Sequence, residues 1–248
     1  TITATNGSIT VGTNLTNSGE ITSDTVLTNN DLENTGKLNT ATSVQANNIT
    51  NVGEITTLTL IANSELTNAE NATITATNGS ITVGTNLTND GTLSTKTITV
   101  TENITNNGTL NATTSVQAKN ITNVGEITTP TVIVNADLTN AENATITATN
   151  GSVTVGANLT NSGSMNVATT NVGGNLIDNG TWAESGIINF VGTGEHEFDP
   201  NSSTKYAKIN VEKLSGILTI KDVLDVTELN INSNVIFEDS ATIGELSI

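Results

Sequence analysis

The sequence predicts an all-β chain folded as a parallel β-helix, a β-solenoid with 17–21-residue rungs grouped in 72-residue repeats. Three observations lead there. The segment TITATNGSITVGTNLTN begins at Thr1, recurs unchanged at Thr73 and returns at Thr145 with only Val153 and Ala157 altered, so the long period is 72 residues. Inside it the motif [LI]-x-N-x-G-x-[IL] starts at Leu15, Leu32, Ile49, Leu66 and Leu87, stepping by 17, 17, 17 and 21 residues. The composition is rich in Thr, Val and Ile, which suit strands, and in Asn, Gly and Ser, which break helices. A period this short fits β-helix or leucine-rich rungs and excludes helical-pair repeats. Alternating runs such as Thr-Ile-Thr-Val at 97–100 and Ser-Ile-Thr-Val at 80–83 select the β-helix.

Stacking the rungs in register turns the motif into columns. The first is apolar: Leu15, Leu32, Ile49, Leu66, Leu87, Ile104, Ile121, Leu138, Leu159 and Leu176. Two residues on comes an amide column, Asn17, Asn34, Asn51, Asn68, Asn89, Asn106, Asn123, Asn140 and Asn161, ending at Asp178. Amides stacked at ~4.8 Å bond along the axis, which would make these nine asparagines a buried structural ladder. A glycine column follows (Gly19, Gly36, Gly53, Gly91, Gly108, Gly125, Gly163 and Gly180), interrupted by Glu70 and Glu142 in the longer rungs. Glycine there is expected to supply the positive-φ bend into the next strand. A second apolar column runs Ile21, Leu38, Ile55, Leu93, Leu110, Ile127 and Met165 and closes with Trp182. A narrow core of stacked Leu and Ile has room for aliphatic groups and little for rings, in keeping with 2% aromatics.

The regular part covers residues 1–181, as 1–72, 73–144 and 145–181, and the register dissolves from about Trp182. Residues 182–248 still read as short strands, GIINFVGTGEHEF, KYAKINVEK, GILTIKD, LDVTELNIN and NVIFED, and are expected to continue the solenoid less regularly. Pro130 stands where Leu58 stood one repeat earlier, which places it at a strand start or corner with no amide to donate.

Charge narrows the function. Among 248 residues there are 7 Lys+Arg, all lysine, against 24 Asp+Glu, for a net charge of -17. A nucleic-acid binder needs clustered bases, and before residue 181 there are only Lys37, Lys96 and Lys119. The sequence has no long apolar run and no basic start followed by one, so neither a membrane-spanning helix nor a signal peptide lies within it. The absence of cysteine excludes disulfides, thiolate metal sites and Cys nucleophiles, and fits an extracellular, cell-surface location.

The L-x-N-x-G-x-I columns, the Gly180-Thr181-Trp182 triplet, F-x-G-x-G at 190–194 and the later ILTI and LDVTELNI resemble secreted bacterial adhesins, the filamentous-haemagglutinin-like and autotransporter-passenger proteins. The resemblance covers essentially the whole chain and marks an architecture. It implies a right-handed parallel β-helix, exported and displayed as a fibre or stalk.

Chemistry-bearing constellations are sparse. His196, flanked by Glu195, Glu197 and Asp199, could form an oxygen-rich cation site or an acid/base pair, but strand alternation puts Glu195 and Glu197 on the face opposite His196. A solvated strand is the reading we take. Asp24, Asp31 and Glu33 are scattered carboxylates that match no calcium loop and are read as solvated acidic faces. The Thr column at Thr16, Thr50, Thr67, Thr88, Thr105, Thr122, Thr139 and Thr160 raises ice binding, but Glu33 and Ile177 interrupt it and Thr is ordinary at exposed β positions. Asn-x-Ser/Thr triplets such as Asn78-Gly79-Ser80 permit glycosylation. With no arginine and few aromatic residues for sugar stacking, a carbohydrate-active β-helix enzyme is disfavoured. No catalytic, cofactor or metal residues are assigned.

Residue 1 enters the repeat at the phase of Thr73, without the polar cap a solenoid needs. A piece of a longer repeat protein is the first expectation, and a subunit stacking end to end through bare β edges is the second. The functional expectation is a non-enzymatic stalk or fibre of a microbial adhesin. Its partners would be a glycan or protein receptor or further copies of itself, with no nucleic acid and no membrane insertion.

Overall fold

A computed structural model describes residues 1–248. The chain contains strands and no helix, and the strand pairings within its compact units are parallel. Two units are present, Thr1–Lys119 with Gly125–Thr129 and Asn120–Val124 with Pro130–Ile248, and each is a parallel β-solenoid. No helix is long and apolar enough to cross a membrane.

In the first unit a rung has a short strand and a long one. Leu15–Asn17 is followed by Glu20–Thr28, Leu32–Asn34 by Lys37–Ala46, and Leu87–Asn89 by Thr92–Val100. Each long strand pairs in two blocks with a register shift between them, at Ser23/Thr25 and at Thr95/Thr97. One rung resolves this into two strands, Glu54–Thr56 and Thr59–Ala62. A rung therefore has three sides, one short strand and the two halves of a long one. Period-2 alternation then sends every second side chain inward on each side.

The 21-residue rungs come from two corners. Leu66 lies 17 residues after its partner Ile49, Thr73 lies 19 after Glu54, and Ser80 lies 21 after Thr59. Two residues are thus inserted at the turn 69–72 and two more at 77–79. Asn71 (φ 64°) and Asn78 (φ 62°) take the left-handed conformation there, which Asn tolerates better than most residues. The second unit repeats the device at Asn143 (φ 66°). Glu70 and Glu142 are exposed on these inserted turns and do not occupy the glycine column; Ala72 and Ala144 take the place next to it. Ile74 and Ile146 correspondingly fill the gaps in the second apolar column, with Ile74 paired to both Ile55 and Leu93.

The glycine column corrects the expectation of a positive-φ bend. Positive φ occurs in glycine only at Gly194 and Gly216, neither of which belongs to the column. What requires glycine is the approach of the previous rung. A Cβ on Gly53 would lie 2.1 Å from the Gly36 carbonyl oxygen, and one on Gly108 would lie 2.1 Å from that of Gly91. The bend itself is made by ordinary backbone.

Two inward columns on the second half of the long strand complete the core. Val26, Val44, Leu60, Ile81, Ile98 and Val116 form one, and Ala46, Ala62, Val83, Val100 and Ala118 the other, all buried. Leu15 is half-buried, and the rest of the first apolar column is buried.

Residues 182–248 belong to the second unit and continue its stacking. Ile187–Phe190 pairs with Ser164–Val172, and Lys205–Val211, Leu224–Ile231 and Ala241–Ser247 follow in turn. On the short side His196–Asp199 stacks on Leu176–Asp178, and then come Ile217–Ile220 and Asn234–Phe237. Here the core does admit rings. Phe190, Phe198 and Tyr206 are fully buried, with centroids 5.3 Å and 5.5 Å apart in tilted and edge-on contacts. Trp182 is half-buried, paired in register with Met165. Pro130 is exposed immediately before the strand Thr131–Val134.

Candidate functional site

The short strands Leu15–Asn17, Leu32–Asn34 and their successors point Leu or Ile and Asn inward and one residue outward. Because these strands pair without slip, each Asn stands over the next. In the first unit Asn17 Nδ2 donates to Asn34 Oδ1 at 2.7 Å, Asn34 to Asn51 at 2.8 Å, Asn51 to Asn68 at 2.9 Å, Asn68 to Asn89 at 2.9 Å and Asn89 to Asn106 at 2.8 Å. In the second unit Asn123 donates to Asn140 and Asn140 to Asn161, both at 2.9 Å. Asn17 is 5% exposed and the other eight are 0% exposed, so an unpaired group here would carry its full desolvation cost.

The remaining amide capacity is also used. Asn34 Nδ2 lies within hydrogen-bond distance of the Gly36 carbonyl (3.1 Å) and the Glu54 carbonyl of the next rung (3.0 Å), and Asn89 does the same with Gly91 and Thr109. In the second unit the ladder ends on Asp178, whose Oδ1 accepts from Asn161 Nδ2 at 2.8 Å. A carboxylate accepts and does not donate, so Asn161 must turn its NH₂ toward it. That choice fixes the orientation of Asn140 and Asn123 behind it. Tyr206 donates its hydroxyl to Asp178 Oδ2 at 2.6 Å, and burial, followed by the Asp178 charge, raises the phenol far above its ordinary range.

A second polar column, on the surface, is absent from the sequence reading. It precedes the short strands at Asn14, Asp31, Asn48, Glu65 and Asn86, with the same 17, 17, 17 and 21 steps. Asn14 Oδ1 accepts from the Asp31 amide at 3.3 Å, Asn48 Nδ2 donates to Asp31 Oδ1 at 2.8 Å, and Asn103 Nδ2 donates to Asn86 Oδ1 at 2.8 Å. In the second unit Asn158 Nδ2 donates to Asp137 Oδ1 at 3.0 Å, and Asn175 Oδ1 accepts from the Glu197 amide at 2.9 Å. The step pattern was the signal that could have found it; variation among Asn, Asp and Glu concealed it.

The remaining candidates separate. Asp31 and Glu33 line a shallow depression of ≈ 290 Å³ with Asn14, Asn48 and the outward Thr16 and Thr50. Asp24 lies elsewhere, on the strand Glu20–Thr28, and no three His, Cys, Asp or Glu side chains converge to hold a metal ion. The Thr column is one side chain wide, because a three-residue strand presents one outward residue, and Glu33 and Ile177 fall in line with it. His196 faces inward while Glu197 faces solvent and pairs with Lys221 at 3.7 Å. The partner of His196 is Lys213, whose Nζ lies 2.6 Å from Nδ1.

No family model matches this chain, and neither the curated proteins nor the solved structures contain a match to it. The class that the fold defines is a parallel β-solenoid repeat protein with 17-residue rungs.

Proposed function

We propose that the chain is a non-enzymatic structural segment of a surface-displayed microbial protein, a spacer in the stalk or fibre of an adhesin, working outside the cell. The observation that carries this reading is where the most strictly repeated polar side chains spend their hydrogen bonds. In each unit the buried asparagines bond to the next rung, so the repeat serves cohesion between rungs. In such an architecture each rung contacts mainly its neighbours, and copies can be added without redesigning the rest.

The excess of 24 acidic over 7 basic residues supports the same reading, since it keeps a displayed chain solvated and makes like copies repel. Outward Thr, Asn and Ser recur from rung to rung. They offer a glycan or protein receptor many equivalent weak contacts, which multivalency turns into useful avidity.

The test is immunogold labelling of native producer cells with antibodies raised against this chain. Gold on intact cells, standing away from the envelope, supports the proposal; gold seen only after permeabilisation overturns it. Light scattering on the purified chain across a concentration series complements this. A constant mass of 25.5 kDa fits a stalk segment, whereas fibres growing with concentration would replace that reading with a self-assembling filament subunit.

A further inference from the structure

Of the seven lysines, Lys213 alone is buried, at 6% exposure. It follows the strand Lys205–Val211, on the loop leading to Ile217–Ile220. Lys37, Lys119, Lys208 and Lys221 sit in ion pairs with glutamates, while Lys213 has the imidazole of His196. Glu195 and Glu197, beside His196 in sequence, are exposed, and the strand neighbour of His196 is the apolar Leu218.

A 2.6 Å contact between two nitrogen bases needs one N–H and one lone pair, so the pair holds at most one positive charge. The ring can be neutral and accept from the ammonium or from an N–H of the neutral amine, or the amine can be neutral and accept from the ring. The form with both groups neutral and an amine N–H on Nδ1 leaves the Nζ lone pair free. Burial without a carboxylate disfavours the cation in both places. His196 is held below its usual range by burial and then by the Lys213 charge, and Lys213 is held below its own by burial. The surrounding backbone is bare of side chains at three points. Gly194 (φ 91°) and Gly216 (φ 82°) are left-handed, and a Cβ on Gly192 would lie 2.7 Å from His196 Cε1. Leu214, next to the lysine, is 84% exposed, so the loop reaches solvent.

We propose that Lys213 is a covalent modification site for small aldehydes, with His196 as the group that takes up its proton. Nζ adds its lone pair to the carbonyl carbon, and the carbonyl oxygen gains a proton to give the carbinolamine. Loss of that hydroxyl as water, together with the second N–H proton, leaves a C=N bond. Nδ1 of His196 receives the proton released from Nζ and returns it to the departing oxygen. Amine and aldehyde give imine and one water, with no change of oxidation state.

The test is reductive methylation of the folded chain with limiting formaldehyde and cyanoborohydride, scored at each lysine by peptide mass spectrometry. The range is about pH 6 to 9, between the usual His and Lys values. At neutral pH Lys213 should be labelled several-fold faster than Lys96 and Lys205, because burial disfavours its ammonium and His196 stands ready as a base. His196→Gln, which keeps an acceptor but loses the base, should bring Lys213 back toward the rate of Lys96. Labelling of Lys213 at or below the Lys96 rate at every pH would show an amine that is sealed or protonated, and would overturn the proposal.

Discussion

Tyr206 Oη donates to Asp178 Oδ2 at 2.6 Å, across 28 residues of sequence, where the buried amide column of the second unit ends in a carboxylate. The same hydroxyl accepts the Asn201 amide at 2.9 Å, and Asp178 Oδ1 takes the Gly180 amide at 3.1 Å beside Asn161. The phenol completes the solvation of a carboxylate that is 2% exposed and has no cation. Tyr206→Phe therefore leaves one carboxylate oxygen and one backbone N–H unserved, at a cost of about 1–3 kcal/mol. A lowered denaturant midpoint at constant slope is the expected result.

Asn89→Leu should cost about 1–3 kcal/mol for each group it leaves unpaired. Asn68 Nδ2 loses its Asn89 acceptor, though it keeps backbone carbonyls at Ala72 and Thr92, and Asn106 Oδ1 loses its donor. Thr88→Ala, on the adjacent outward-facing position, should stay within about 0.5 kcal/mol, so the two midpoints measured together separate ladder from surface.

Thr170 occupies the core column held elsewhere by Val, Ile and Leu, is 1% exposed, and its hydroxyl has no hydrogen-bond partner. Thr170→Val keeps the shape and removes the unserved group. Stabilisation of about 1 kcal/mol is expected in chemical denaturation, and a destabilised variant would show that the hydroxyl is served after all.

Gly53→Ala places a Cβ 2.1 Å from the Gly36 carbonyl oxygen, which the Glu54 amide also holds at 2.9 Å. The rungs cannot separate without lengthening that bond, so a loss of about 1–3 kcal/mol or more follows. Gly12→Ala meets nothing within 4 Å and should be nearly neutral. Equal effects at the two sites would show that the neighbouring carbonyl is not what excludes a Cβ at Gly53.

His196 carries a pH dependence of definite sign. Its folded value lies below the ordinary 6.5, so between the two values the unfolded chain binds more protons and stability rises with pH. The contribution is complete above about pH 6.5 and is lost as the pH falls below it. Denaturant midpoints of the native chain and His196→Gln, compared at about pH 5 and pH 7.5, cancel the many carboxylates common to both. The native chain should lose more on acidification; a constant difference between the two would refute the coupling to Lys213.

The repeat phase made much of the fold legible. A fixed step of 17 residues aligns like with like, so the inward Leu and Asn columns and the parallel stacking follow from spacing alone. The glycine column was legible as a column, but its cause was not. Glycine is compatible both with a left-handed bend and with a close approach, and only the distance to the neighbouring rung's carbonyl distinguishes them. The four extra residues of the longer rung were countable, yet their division between two corners emerged only from pairing. Lys213 and His196 are themselves 17 residues apart, the rung step, but they stand in the irregular tail outside the repeated columns, so the sequence set His196 beside its acidic neighbours and left its partner Lys213 hidden.

By itself the sequence determined the strand chemistry, the rung length and which side chains stack along each column, because a repeated chain must place equivalent residues in equivalent environments. The three-sided rung, the aromatic core of Phe190, Phe198 and Tyr206, the Asp178 end of the ladder and the meeting of Lys213 with His196 were decided by the tertiary structure. Those features depend on how each rung closes at its corners, and corner geometry is set by packing against the rungs above and below.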